Sequence, residues 1–132
     1  MNLYKLHTNN EQLLGYEERL QVPIIAWRHV LYYIQNFTGQ DNKELIKKTE
    51  HLQDAILKDP EFAYKYALRV IQGRWPAAEQ IIATDYEIIF NYSYNILKGR
   101  WRAVEDIMRT DDYWWNMYWS DIVSVFGENS GI

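Results

Sequence analysis

The chain has 132 residues, 48% of them apolar, and a net charge of −4; it is long enough to bury a core as a single domain over 1–132 and too apolar for wholesale disorder. It has no cysteine, which excludes thiol catalysis, disulfides and Cys-ligated zinc. Residues 1–58 carry seven basic and seven acidic side chains, and residues 59–132 seven and eleven, so the acidic excess lies wholly in the second half and no broad basic face for nucleic acid is expected.

Taken in chain order, "MNLYKLHTNN" lacks a basic region followed by an apolar core, so no signal peptide is expected. Its "LYKL" suits a short strand or an extended arm. No apolar run reaches the length of a membrane span, so none is expected. Pro23 suits a helix start, and "IIAWRHVLYYIQNF" then sets Trp27, Val30, Leu31, Ile34 and Phe37 on one helical face. "TGQDN" at 38–42 reads as a turn and a new cap. Residues 43–57 read as a second helix with Leu45, Leu52 and Ile56 inward. An N-terminal helical part over 1–50 is expected to precede a set of repeats over 51–123.

The repeats are explicit. Residues 59–84, "DPEFAYKYALRVIQGRWPAAEQIIAT", align without a gap on residues 85–110, "DYEIIFNYSYNILKGRWRAVEDIMRT". Ten positions are identical, among them Asp59/Asp85, Tyr66/Tyr92, Gly73/Gly99, Arg74/Arg100, Trp75/Trp101 and Glu79/Glu105. A third copy begins at Asp111, keeps Tyr118 and Ile122, and loses the Gly-Arg-Trp. Upstream, "LQDAILK" (52–58) resembles the second half of a unit.

Each 26-residue unit reads as two helices. Asp59 is an N-cap with Pro60 behind it, and apolar residues recur at helical spacing as far as Ile71. Gly73 is expected to end the first helix as a left-handed residue. Pro76 starts a second, shorter one. A unit of this kind must stack on its neighbours to bury its apolar face. The predicted fold is therefore all-α: a short α-solenoid of two-helix repeats packed on an N-terminal helical pair, with residues 124–132 a flexible, frayed tail.

The unit resembles a short helical repeat found in small proteins of large tailed bacteriophages and giant viruses. Its pattern runs as an Asp-Pro-Glu-x-Ala-Tyr start, a Val-Ile-x-Gly-Arg-Trp-Pro corner and a Glu-bearing second helix. Here Asp59, Pro60, Glu61, Ala63, Tyr64, Tyr66, Ala67, Val70, Ile71, Gly73, Arg74, Trp75, Pro76 and Glu79 match it. The second unit departs, with Tyr86 for Pro60 and Arg102 for Pro76. The resemblance covers roughly residues 50–123, points to a viral source and implies no activity.

Arg74 and Arg100 could present guanidinium groups to an anion. Each also has a glutamate five residues on, Glu79 and Glu105, so a structural use is expected: the arginine reaches the carbonyls that end the first helix or pairs with that glutamate. Trp75 and Trp101 are expected to plug the corner into the core rather than to stack on bases. His7, His29 and His51 stand at no metal-ligand spacing, so no metal site is expected. No nucleophile elbow, phosphate-binding glycine loop, HExxH or carboxylate pair occurs, so no catalytic residue, cofactor or enzyme activity is expected.

The chain holds six Trp, eleven Tyr and four Phe. Their densest run is Tyr113, Trp114, Trp115, Tyr118 and Trp119, and such side chains anchor interfaces. With Arg74 and Arg100 these are the expected partner-binding residues, and Tyr33 and Tyr94 are secondary candidates. In the third copy Trp115 and Trp119 replace Ala63/Ile89 and Ala67/Ser93, while Asn116 and Ser120 replace Tyr64/Phe90 and Leu68/Tyr94. The expected function is a non-enzymatic, cytoplasmic phage accessory protein that binds a host protein and blocks or redirects it, as an anti-defence or antitoxin-like factor does. Homo-oligomerisation through the aromatic end is the third reading. The alternative is single-stranded nucleic-acid binding, which needs Arg74, Arg100, Lys98 and Arg102 on one exposed, acid-free strip.

Overall fold

The computed structural model describes residues 15–132, so the expectation for "LYKL" lies outside the described residues. Every regular element among them is helical, in line with an all-α fold. The chain divides into two compact units, 1–58 and 59–132. The division falls where the first whole repeat starts, rather than at 50/51.

In the first unit, a single turn α1 (Tyr16–Arg19) precedes α2 (Pro23–Gln35), which starts on Pro23 as expected. Asp41 caps α3 (Asn42–Thr49) by accepting a hydrogen bond from the Lys43 N–H at 2.9 Å. A 3₁₀ turn (Glu50–Leu52) leads into α4 (Gln53–Ile56), so the predicted second helix is present with its middle tightened. The helix α2 packs on α3 and α4. Its buried stripe is Ile25, Ala26, Trp27 and Val30, with Leu45, Leu52 and Ile56 supplied from the facing helices. Leu31, Ile34 and Phe37 are only half-buried, so the stripe is rotated toward the start of the helix relative to the sequence reading.

The second unit contains the repeats. The three aspartates Asp59, Asp85 and Asp111 each cap a long helix. These are α5 (Pro60–Tyr66), α7 (Tyr86–Tyr92) and α9 (Asp112–Tyr118), and each continues directly into a five-residue π turn. The π turns are Ala67–Ile71, Ser93–Leu97 and Trp119–Val123. The short helices are α6 (Pro76–Ile82) and α8 (Glu105–Met108), the latter entered through a 3₁₀ turn (Arg102–Val104). Each long helix packs on the long helix of the next copy, and α6 and α8 pack on the long helix that follows them. A last turn, α10 (Ser124–Phe126), closes the helical part.

Two sequence expectations are corrected here. The left-handed residue that stops each of the first two long helices is not the glycine: Gln72 has φ 60° and Lys98 φ 51°. The preceding π turn is wider than an α turn, and the Gln72 and Gly73 N–H groups both return to the Ala67 carbonyl. The chain thus reverses one residue earlier than a glycine C-cap would place it, and a polar long side chain takes the strained position. The second correction is the tail. Residues 127–132 fold back and hydrogen-bond to the second corner: Ile132 N–H donates to the Arg100 carbonyl (2.8 Å) and Arg102 N–H donates to the Ile132 carbonyl (3.1 Å).

Candidate functional site

The recurring residues of the two corners build one device twice. In the first, the Arg74 guanidinium grips Glu79 in a two-pronged pair, Nε to Oε2 at 2.7 Å and Nη2 to Oε1 at 3.0 Å. Tyr92, from the next repeat, donates its hydroxyl to Glu79 Oε2 at 2.7 Å and accepts from the Trp75 N–H at 2.9 Å. In the second, Arg100 grips Glu105 at 2.8 and 2.6 Å. Tyr118 donates to Glu105 at 2.7 Å and accepts from the Trp101 N–H at 2.8 Å. The indoles complete each device: Trp75 lies 4.8 Å from the Tyr66 ring and Trp101 5.1 Å from that of Tyr92. Tyr66, Tyr92 and Tyr118 are fully buried.

The electrostatics follow from this packing. Burial pushes the Tyr92 and Tyr118 hydroxyls well above their ordinary value, and the adjacent carboxylates push the same way. The bond from Arg100 holds the Glu105 carboxyl below its ordinary value against the opposing effect of burial. At Glu79 burial works to raise the carboxyl, and the bonds from Arg74 and Tyr92 outweigh it. The glutamates are therefore ionised and the tyrosines neutral donors. The arrangement ties one repeat to the next, and none of these four groups is moved toward neutral pH, where acid–base chemistry would need it.

Arg74 and Arg100, candidates for a partner surface, each hold a glutamate in these clamps, Arg74 with its side chain still 49% exposed and Arg100 with 18%. Arg102 is committed as well: its guanidinium donates to the carbonyls of Glu128 (2.7 Å) and Ser130 (3.0 Å). The corner arginines thus do not form an acid-free strip. The substitution of Arg102 for Pro76 has its reason in the tail, since proline has neither the N–H nor the guanidinium that hold 128–132. Nothing in the spacing of the repeat points to that partner.

The aromatic end is divided by the fold. Tyr118 is in the core and is corrected from surface residue to clamp. Trp114 turns back onto Phe90, 5.9 Å between rings, and onto Tyr113 at 5.1 Å. Tyr113, Trp115 and Trp119 line an open groove of about 790 Å³ together with Arg109, Met117 and Asn116. Tyr113 is 63% and Trp119 38% exposed. The Arg109 guanidinium lies 4.7 Å over Trp115, and that of Arg100 5.6 Å over Trp119. Trp115 and Trp119 occupy the places of Ala63/Ile89 and Ala67/Ser93, all four fully buried in the first two copies. The face that is closed twice within the unit is open the third time.

Arg109 and Met117 escaped the sequence reading, because Arg109 lies in the degenerate end of a short helix and pairs with Asp106 at 2.7 Å. Tyr94, a secondary candidate, is exposed and packs on Phe126 at 5.6 Å. Tyr33, the other, packs on His51 in the first unit. No group of three metal-ligating side chains occurs among the described residues, and no helix among them is long and apolar enough to cross a membrane. No protein-family model, curated protein or solved structure matches the chain.

Proposed function

We propose that the chain is a non-enzymatic protein-binding module: a short α-solenoid whose open aromatic end seals onto another protein. The groove of Tyr113, Trp115, Trp119 and Arg109 carries this reading. Rigid aromatic rings at a concave, partly exposed site bury much area at little cost in side-chain entropy, and an arginine at the rim adds directionality. The clamps at Glu79 and Glu105 favour a preformed surface, which reduces the ordering cost of association. The mechanism is occlusion: the partner's own surface is covered, and no bond is made or broken.

The repeat's likeness to those of large tailed bacteriophages extends the proposal to its setting. The protein is a phage accessory factor that acts on a host protein in the host cytoplasm, blocking or redirecting it. The test is affinity capture from infected cells with the intact chain and with a Trp115→Ser/Trp119→Ser variant, followed by reconstitution of the captured protein with the purified chain. A stoichiometric partner that binds the intact chain and not a folded variant is the expected result. A partner that the folded variant retains, or none at all, overturns the reading. Light scattering on the same two proteins separates it from self-assembly, where the intact chain alone grows with concentration.

A further inference from the structure

The two corners are built alike but end differently. At the second, the tail sits against Gly99: a Cβ there would come 2.5 Å from the Gly131 nitrogen and 2.7 Å from the Ser130 side chain. The Arg100 N–H donates to Ser130 Oγ at 3.2 Å, its carbonyl accepts from the Ile132 N–H, and its Nη1 donates to the Glu128 carbonyl at 3.1 Å. Gly131, at φ 77°, must be glycine, because a Cβ would run into the Arg100 carbonyl. Glycine at 99 is thus explained by a chain lying on it.

At the first corner no described residue lies there. A Cβ on Gly73 would meet no atom within 4 Å, and Gly73 does not have a positive φ. Neither reason for a glycine applies within the described residues. The Arg74 N–H and carbonyl, whose counterparts at Arg100 hold the tail, make no hydrogen bond within the described chain. The Arg74 side chain is 49% exposed against 18% for Arg100. Beside Gly73 a groove of about 210 Å³ runs between Leu68, Gln72, Asn95 and Lys98.

We propose that this first corner is a binding site for an extended segment of a partner protein, carrying a serine–glycine pair followed by an aliphatic residue. The chain's own tail, "ENSGI", shows the mode of binding at the equivalent seat. The incoming serine hydroxyl accepts from the Arg74 N–H, the aliphatic residue's N–H donates to the Arg74 carbonyl, and Arg74 Nη1 takes a main-chain carbonyl. Main-chain bonding of this kind gives affinity, and the glycine gives selectivity because only it can approach the corner carbonyl. Pro76 has no N–H to match that of Arg102, so the foreign segment makes fewer bonds than the tail does and cannot be replaced by it at equal strength. The site is separate from the aromatic groove and stands whether or not that groove binds a partner.

The test is a titration of the isotopically labelled full chain with an acetylated FGENSGI peptide, followed by backbone NMR. Saturable shifts are expected at the Gly73, Arg74 and Lys98 amides. Gly73→Ala, whose methyl fits the free fold, is expected to weaken binding by about tenfold or more, as is alanine for the peptide's own glycine next to isoleucine. Absence of shifts at millimolar peptide overturns the proposal. So do shifts confined to Gly99 and 127–132, which would report displacement of the tail, and so does binding that Gly73→Ala leaves unchanged. Self-association of the chain that Gly73→Ala abolishes would assign the seat to a second copy and overturn the foreign partner.

Discussion

Removing one hydroxyl, by Tyr118→Phe, tests the clamp between repeats. The ring remains, and with it the burial and the contact with Trp115 at 5.6 Å. What is lost is the hydrogen bond to ionised Glu105 and the acceptor for the Trp101 N–H, both of them buried. A bond to a charged group contributes about 1.5–3 kcal/mol, and a buried donor left unpaired costs about 1–3 kcal/mol, so a loss of about 3 kcal/mol is expected, allowing for overlap. Tyr92→Phe removes the same bonds around Glu79, where the Glu79 and Arg74 side chains are 14% and 49% exposed against 5% and 18% for Glu105 and Arg100. Water can replace part of what is lost there, so about 2 kcal/mol is expected. Urea unfolding followed by far-ultraviolet circular dichroism gives both values, and the larger loss corresponds to a fall in Tm of about 12 °C for a domain of this size. If Tyr118→Phe costs less than about 1 kcal/mol, or less than Tyr92→Phe, the clamp does not hold the repeats together as argued.

Three more outcomes follow from particular residues. The Ser93 hydroxyl is fully buried with no hydrogen-bond partner among the described residues, and alanine fills the same place at Ala67, so Ser93→Ala is expected to stabilise the protein by about 1 kcal/mol; a lower urea midpoint would refute this. Gly73→Ala is expected to raise stability by about 0.5 kcal/mol through the unfolded chain, whereas Gly99→Ala expels the tail and costs about 2 kcal/mol. Equal effects at the two glycines in thermal melts would remove the distinction between the corners. Because Glu79 and Glu105 titrate below their ordinary value of 4.5, their contribution is complete above that value and is lost as pH falls through the lower folded values. The urea midpoint is thus expected to fall on acidification below about pH 4.5, and Glu105→Gln to flatten that fall; an unchanged acid limb in the variant would show that other groups set it.

Much of this is legible in the sequence. The 26-residue period, the three capping aspartates and the plugging role of Trp75 and Trp101 follow from local rules, as does a structural role for Arg74 and Arg100, for which the fold chose the glutamate over the helix-end carbonyls. A cap acts within three residues, and an Arg and Glu five apart across a corner are held close by the chain itself. The aromatic end was legible as composition but not as geometry. Trp114 and Trp115 are neighbours in sequence and face different surroundings, and Tyr118 differs from Trp119 only by one step of a helix that turns π at that point.

The sequence by itself determined the units: where each long helix begins, that its partner helix follows a corner, and that the third copy is cut short. These depend on hydrogen bonds and apolar spacing within a few residues. Tertiary structure alone decided what the repeated groups are for. The tyrosine that recurs every 26 residues closes the clamp of the copy before it, 13 residues past the glutamate it binds. The tail reaches back 30 residues from Ser130 to Arg100. Such contacts depend on the angle at which one helix lies on the next and on the width of a π turn, which are set by packing across the whole unit and leave no local mark. For the same reason Gly73, identical in sequence to Gly99, acquires a different meaning only when the tail is seen to cover the second corner and no described residue covers the first.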